Sequence, residues 1–119
     1  MIHKMKLLEK EFNNIKYNNK IIEVRLNDKK RRKINIGDKI LFYKLPKLKE
    51  SILVDIKDIY KFSTFKEVYD KFPQRYFGYK NLTKEQILNN IYSIYSIKEE
   101  MENGVVAIKF KLYNDNDAI

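Results

Sequence analysis

The stretch KIIEVRLNDKKRRKINIGDKI, residues 20–40, decides how the rest of the chain is interpreted. It begins as a β-branched, strand-like segment that carries Lys20, Glu23 and Arg25. It continues into five consecutive cations and ends at the turn-forming pair Gly37-Asp38, which leads into a second strand. Two interpretations fit this order: a polar site beside a basic, nucleic-acid-facing loop, or a solvated hairpin in a lysine-rich chain.

Side chains of a regular strand alternate between two faces, and this alternation separates the polar residues from the apolar ones. Glu23 and Arg25 are predicted to point outward together, which as an exposed pair would contribute only ~0.2–1 kcal/mol. Alternation places Lys20 on the core side, so it either precedes the strand or is redirected toward Glu23 by a bulge near Ile21. The face predicted to meet the core consists of Ile22, Val24 and Leu26.

The basic run favours a loop that contacts phosphates, because neutralised phosphates release counterions and drive salt-sensitive binding. Three of the four arginines of the chain lie in residues 20–40, and the guanidinium fork suits phosphate better than an ammonium does. The alternative is a solvated hairpin whose charges prevent pairing between strand edges. The predicted phosphate-contacting residues are Lys29, Lys30, Arg31, Arg32 and Lys33.

Composition excludes several classes of function. The 119 residues carry a net charge of +9 but no cysteine and one histidine, His3. Thiolate chemistry, a Ser-His-Asp triad and a two-histidine zinc site therefore cannot be built from one chain. No apolar run approaches the roughly 20 residues of a membrane span. We expect a soluble, cytoplasmic, monomeric protein of one domain (residues 1–119) without metal or cofactor, whose polyanionic partner is RNA or a nucleotide.

Hydrophobic periodicity predicts an α+β fold or a small barrel with four to six strands and three helices. The helices are expected near residues 8–17, 63–72 and 82–103, and a frayed tail is expected at 113–119. The acidic residues near 99–102 are interpreted as a solvated helix end rather than a metal site. In the loop 73–80, Arg75, Tyr76 and Tyr79 either stack on unpaired bases or fold back over the core.

Three segments, KIIEVRLNDKKRRKINIGDKILF, IYKFSTFKEVYDKF and YSIYSIKEEMENGVVAIKFKL, together resemble the ASCH domain, a branch of the PUA-like superfamily. The resemblance runs from Lys6 to Leu112. It rests on Lys20-x-x-Glu23-x-Arg25, Asp28 with Arg31-Arg32, Gly37-Asp38, Ser63-x-Phe65, Tyr95-Ser96 and Gly104-Val105-Val106. It implies a small mixed β-barrel of about five to six strands flanked by helices, with Lys20, Glu23 and Arg25 lining one cleft.

The resemblance also implies two kinds of function. ASCH domains are widely proposed to bind RNA, and one bacterial branch hydrolyses acetylated cytidine with a lysine, a threonine three residues later and a distant glutamate. Lys20 matches the lysine, but Glu23 stands at the threonine position, and GYKNLT, residues 78–83, offers no acid for the glutamate. That triad is therefore incomplete in this chain.

The favoured hypothesis is a stand-alone RNA-binding module whose cleft holds an unpaired nucleotide or base beside the basic loop. The alternative is a small nucleoside hydrolase or ribonuclease that uses the same cleft, with Glu23 as base and Lys20 as acid or electrophile. No catalytic residue is assigned beyond those two candidates. A third hypothesis is a protein-interaction module whose basic loop meets an acidic partner.

Overall fold

A computed structural model of the chain describes residues 1–114. Within that range five strands form one curled, half-barrel sheet in the order β1-β3-β4-β5-β2, so the fold is α+β as predicted. β1 pairs in parallel with β3, and the other neighbours are antiparallel. The strands are β1 (Ile2–Leu7), β2 (Ile22–Leu26), β3 (Lys39–Lys44), β4 (Ser51–Phe62) and β5 (Val105–Leu112).

Four α-helices accompany the sheet in the described range: α1 (Glu9–Tyr17), α2 (Phe65–Lys71), α3 (Lys84–Tyr92) and α4 (Ile97–Asn103). The helix predicted over 82–103 is therefore two helices, and that prediction was wrong. α4 has its own capping box, in which Ser96 and Glu99 exchange side-chain to backbone hydrogen bonds of 3.0 Å. This S-x-x-E start satisfies backbone donors locally and competes with continuation of α3.

Two apolar clusters form the core, and β5 contributes to both because successive side chains of a strand point to opposite faces. Val106, Ile108 and Phe110 pack with β1, α1, β3 and β4. Val105 and Ala107 pack with β2, α2, α3 and the 3₁₀ turn Gln74–Phe77. The trio Ile22, Val24 and Leu26 joins the second cluster, so its prediction as a core face is confirmed.

Two short segments that flank β3 and β5 are also held by hydrogen bonds. Gly37 and Asp38 form the turn before β3, where the Asp38 carboxylate accepts from the backbone N–H of Asn35 at 3.0 Å. Tyr113, at the start of the predicted tail, donates its backbone N–H to the carbonyl of Leu53 at 2.9 Å. Residues 115–119 of that predicted tail lie outside the described residues. Of the helices in residues 1–114, none is long and apolar enough to cross a membrane.

Candidate functional site

Lys20 reaches the site because the chain turns sharply between α1 and β2. Asn19 adopts a left-handed backbone with φ of 57°, and the N–H of Lys20 donates to the carbonyl of Asn14 at 3.0 Å. β2 begins only at Ile22, so of the two interpretations of Lys20, the one in which it precedes the strand is correct. Its side chain is thereby free of the strand alternation and turns to the same side as Glu23.

Four charged side chains then meet, and we call Glu11, Lys20, Glu23 and Arg25 the charged tetrad. The Lys20 ammonium donates to Glu11 Oε2 and, at 2.9 Å, to Glu23 Oε1. The other oxygen of Glu23 accepts from Arg25 Nε at 2.8 Å. Lys20 and Glu23 are each only 5% exposed. The predicted exposed Glu23–Arg25 pair is thus a buried network of alternating charge.

Electrostatics keeps Lys20 and Glu23 in their charged forms. Burial alone would raise the pKa of Glu23, but the charges and hydrogen bonds of Lys20 and Arg25 outweigh it and lower that pKa to about 2. Burial would likewise lower the pKa of Lys20, yet the carboxylates of Glu23 and Glu11 raise it. Glu23 therefore stays a carboxylate and Lys20 an ammonium around neutral pH.

Tyrosine hydroxyls face the same network. Tyr79 donates its hydroxyl to Glu11 Oε1 at 2.9 Å, and its ring stacks on Phe77 with centroids 6.2 Å apart. Burial first, and then the negative charge of Glu11, raises the pKa of Tyr79. Burial and the charge of Glu23 do the same for Tyr69. Both hydroxyls consequently remain protonated donors.

The tetrad borders a cavity of about 370 Å³, which we call the tetrad cleft. Its size lies near the lower end of the ~300–1,000 Å³ range of small-molecule sites. Its walls are mainly apolar and aromatic, with the charged groups at one side, as in sites that position a ligand through a few polar contacts. The apolar and aromatic wall residues are Leu7, Leu8, Ile22, Val24, Leu45, Phe65, Tyr69, Phe77, Tyr79, Ile91, Ile94 and Tyr95.

The predicted phosphate loop is more ordered than expected, because Arg31–Lys33 form a 3₁₀ turn. Asp28 organises this turn: its carboxylate accepts from the Arg31 backbone N–H at 3.0 Å and from Arg31 Nη1 at 3.2 Å. Of the five predicted cations, Lys30 and Arg31 line a second cavity. Arg32 is exposed and donates Nε to the carbonyl of Asn27 at 2.8 Å.

This second cavity, of about 570 Å³, is the basic pocket, and it shares Lys6 and Arg25 with the tetrad cleft. Arg25 spans the two edge strands of the sheet, since its Nη2 donates to the Lys6 carbonyl at 2.8 Å. The basic loop and the cleft therefore adjoin on one side of the fold. The basic pocket is lined by Lys4, Met5, Lys6, Arg25, Lys30, Arg31, Tyr43 and Leu48.

The residues predicted to stack on bases separate in the structure. Tyr79 lines the tetrad cleft, whereas Tyr76 packs against the second core cluster and tilts against Phe72 with centroids 6.3 Å apart. Arg75 lies over the Tyr76 ring, 5.1 Å from its centroid, and lines neither the cleft nor the basic pocket. Gly78 makes this arrangement possible: its φ is +78°, and a Cβ there would lie 2.8 Å from Asn14 Cβ.

Sequence reasoning missed Glu11. It lies in α1 four residues before the buried Ile15, which is the spacing of one helix face, so its charge at that position was the available signal. The interpretation of 99–102 as a solvated helix end was also wrong for Glu100. That carboxylate is buried and accepts from the Phe65 N–H at 2.8 Å and the Tyr92 hydroxyl at 2.7 Å. Glu100, in α4, thereby connects α2 and α3 to α4 through hydrogen bonds.

Comparisons with known proteins identify the family and the fold of the chain. The ASCH domain family model matches residues 5–113. The crystal structure of hypothetical protein PH0355 is 34% identical, with a TM-score of 0.81 over 95% of this chain and 100% of that chain. Protein PF0455 from Pyrococcus furiosus is 31% identical, with a TM-score of 0.70 over 96% of this chain and 99% of that one.

A more distant structure shows the same fold. ASCH from Zymomonas mobilis is 14% identical, with a TM-score of 0.61, and the match covers 97% of this chain and 74% of that chain. No curated protein matches the chain.

Among residues 1–114, no three His, Asp or Glu side chains form a group that could hold a metal ion.

Proposed function

Because the chain belongs to the ASCH domain family, we propose that it is an RNA-binding module that holds one unpaired nucleotide in the tetrad cleft. The observation that carries the proposal is the continuity of the cleft with a basic surface: Lys6 and Arg25 line both cavities. Sequence-specific RNA recognition mostly targets unpaired bases that stack on aromatic side chains and hydrogen-bond through their edges. A backbone that leaves the cleft would pass directly over cations.

The cleft offers both kinds of contact that an unpaired base needs. Aromatic rings of Tyr79 and Tyr95 stand in its wall and provide faces for stacking. Lys20 uses two of its three ammonium protons within the tetrad, and Arg25 uses its Nε and one Nη2 proton. The remaining donors of these two groups suit a carbonyl or ring nitrogen of a base, and the Glu23 carboxylate suits an exocyclic amine.

A hydrolase that uses Glu23 as general base is the weaker candidate. An efficient base has a pKa near the working pH, whereas that of Glu23 is lowered to about 2 and both of its oxygens face cations. A carboxylate held this way is a fixed acceptor of hydrogen bonds rather than a proton carrier. The same pairing favours recognition of a ligand over removal of its proton.

The test is the affinity of the protein for single-stranded RNA as a function of salt. Each phosphate contact contributes ~0.7 to the slope of log K against log salt for single strands. We expect Arg31→Ala/Arg32→Ala to flatten that slope, while Lys57→Ala/Lys61→Ala, which removes two exposed cations of β4 that line neither cavity, leaves it unchanged. Absence of binding by the wild type at near-physiological salt would overturn the proposal.

The cleft is tested separately by base preference. We expect Arg25→Lys to keep the salt slope but to reduce discrimination among homopolymeric RNAs about tenfold, because lysine lacks the planar fork that reads a base edge. Arg75→Lys is the matched control, since Arg75 lines neither cavity.

Poly-glutamate as a competitor tests the protein-interaction hypothesis. Stronger binding of the acidic polypeptide than of RNA would overturn the proposed function in favour of that hypothesis.

A further inference from the structure

The basic pocket holds more positive charge than the protein itself neutralises. Two of its five cations already face carboxylates, Arg25 beside Glu23 and Arg31 beside Asp28. The other three, Lys4, Lys6 and Lys30, have no carboxylate partner within residues 1–114 and are exposed. No Asp or Glu of the described range lines the pocket. The excess of three positive charges is enough to neutralise a phosphate monoester, which carries about −1.5 to −2 at neutral pH.

One donor in the pocket is left without a partner. The Arg31 side chain is only 15% exposed, and its Nη1 is held by Asp28. Its Nε is buried and finds no hydrogen-bond acceptor among the described residues. Buried N–H groups are nearly always paired in folded proteins, so the guanidinium of Arg31 still has an unused donor to offer an acceptor. A phosphate oxygen is an acceptor of the right charge for a guanidinium.

The pocket is also held in shape before any ligand arrives. Lys30 Nζ donates to the Lys4 carbonyl at 3.1 Å, which fastens the basic turn to β1. Asp28 fixes the Arg31 guanidinium at the start of the 3₁₀ turn. Lys4 and Lys6 are two residues apart on β1 and so project to one face of the strand. Preorganised cations bind an anion more tightly because fewer side chains must be ordered on binding.

We infer that the basic pocket binds a phosphate attached to the nucleoside in the tetrad cleft, so the protein recognises a nucleotide and not a free nucleoside or base. This inference rests on the proposed function and names its ligand more narrowly. Lys6 and Arg25 stand in the wall between the two cavities, where the sugar would bridge from base to phosphate. The phosphate of a free mononucleotide and a backbone phosphate of RNA share this chemistry.

The experiment compares binding of ligands that differ only in the phosphate. Isothermal titration calorimetry with adenosine, cytidine, guanosine and uridine is set against the 5′- and 3′-monophosphates of each. We expect at least one monophosphate to bind about tenfold or more tightly than its nucleoside, as for a charge-assisted contact. Single-stranded RNA oligomers form a third arm, which tests backbone phosphates.

Two double variants test whether the lysines of the basic pocket cause the preference for the monophosphate. Lys4→Ala/Lys30→Ala removes two exposed cations that line only the basic pocket, and Lys57→Ala/Lys61→Ala removes the same charge elsewhere. We expect the first variant to lose most of the preference for the monophosphate while its nucleoside affinity stays unchanged. The control variant is expected to keep both affinities.

The outcomes separate this inference from the proposed function. If RNA binds but monophosphates bind no better than nucleosides, or if Lys4→Ala/Lys30→Ala loses no more than the control, the phosphate site is wrong and the RNA module stands. If no monophosphate binds at all, the phosphate site is likewise wrong. If a monophosphate is preferred but RNA does not bind, the pocket stands and the ligand is a free nucleotide.

Discussion

The tetrad cleft and the basic pocket adjoin and share Lys6 and Arg25, yet they handle charge in opposite ways. In the cleft two carboxylates face two cations, and the central pair, Lys20 and Glu23, is almost fully buried. In the basic pocket three lysines are exposed and lack a carboxylate partner within residues 1–114. Buried charge must be paired by the protein itself, whereas exposed charge remains free for a ligand. The charged tetrad should therefore govern stability, and the lysines of the basic pocket should govern the salt-dependent part of binding.

Loss of Lys20 should cause the largest decrease in the stability of the protein. Lys20→Met leaves Glu11 and Glu23 as uncompensated charges beside an apolar wall, so we expect a loss of ~3–5 kcal/mol in the free energy of unfolding. Denaturant unfolding followed by circular dichroism measures this loss. Lys29→Met, at an exposed lysine of the basic run, is the control and should change stability by less than ~0.5 kcal/mol. Equal losses in the two variants would refute the assignment of a buried network.

Low pH should destabilise the charged tetrad, because it protonates Glu23. Its pKa is lowered from 4.5 to about 2 in the folded protein, so its contribution is fully present above pH 4.5 and is lost as the pH falls toward 2. We expect the wild type to lose ~3 kcal/mol more over that window than Glu23→Gln, which has no such carboxylate. Urea unfolding at a series of pH values measures the difference. Glu85→Gln, which removes an exposed carboxylate of α3, is the matched control.

Local pattern was sufficient for the fold class and for the core face of β2, but not for the division of 82–103 into two helices. Alternation in β2 identified Ile22, Val24 and Leu26 as a core face, and the family motifs placed Lys20, Glu23 and Arg25 together. Alternation distinguishes two faces of a strand but does not say whether the second face is covered. That depends on other segments: Glu23 is covered through Lys20, which Glu11 of α1 also holds.

The missed parts of the site include contacts between segments that are far apart in the sequence. Glu11 and Tyr79 are 68 residues apart, and Glu100 accepts from Phe65 across 35 residues. Hydrophobic periodicity cannot predict such contacts, because each of the two residues fits the pattern of its own helix, strand or loop whether or not the other is present. A charged residue at a position where helical spacing expects an apolar one, as at Glu11, indicates that the charge has a partner. The sequence does not show which residue that partner is.

Loss of the Tyr79 hydroxyl should give an intermediate effect, since it removes one hydrogen bond to the tetrad and no charge. Tyr79→Phe keeps the ring against Phe77 but leaves Glu11 Oε1 without its 2.9 Å donor. We expect a loss of ~1–2 kcal/mol in the free energy of unfolding, which urea titration measures. Tyr17→Phe, at a tyrosine that is 68% exposed, should be neutral within ~0.5 kcal/mol. If Tyr79→Phe is also neutral, Tyr79 does not support the tetrad.

The smallest effect on stability should come from the basic pocket, and its sign is informative. Lys4→Ala/Lys30→Ala removes two like charges, so relief of repulsion should offset the lost Lys30 contact to the Lys4 carbonyl. We expect a change within ~0.5 kcal/mol in urea unfolding, and any stabilisation should shrink in 1 M salt, where the Debye length is about 3 Å. A destabilisation above ~1 kcal/mol would mean that these lysines hold the fold, as the tetrad does. In that case the contrast between a tetrad that stabilises the fold and lysines that serve only binding would not hold.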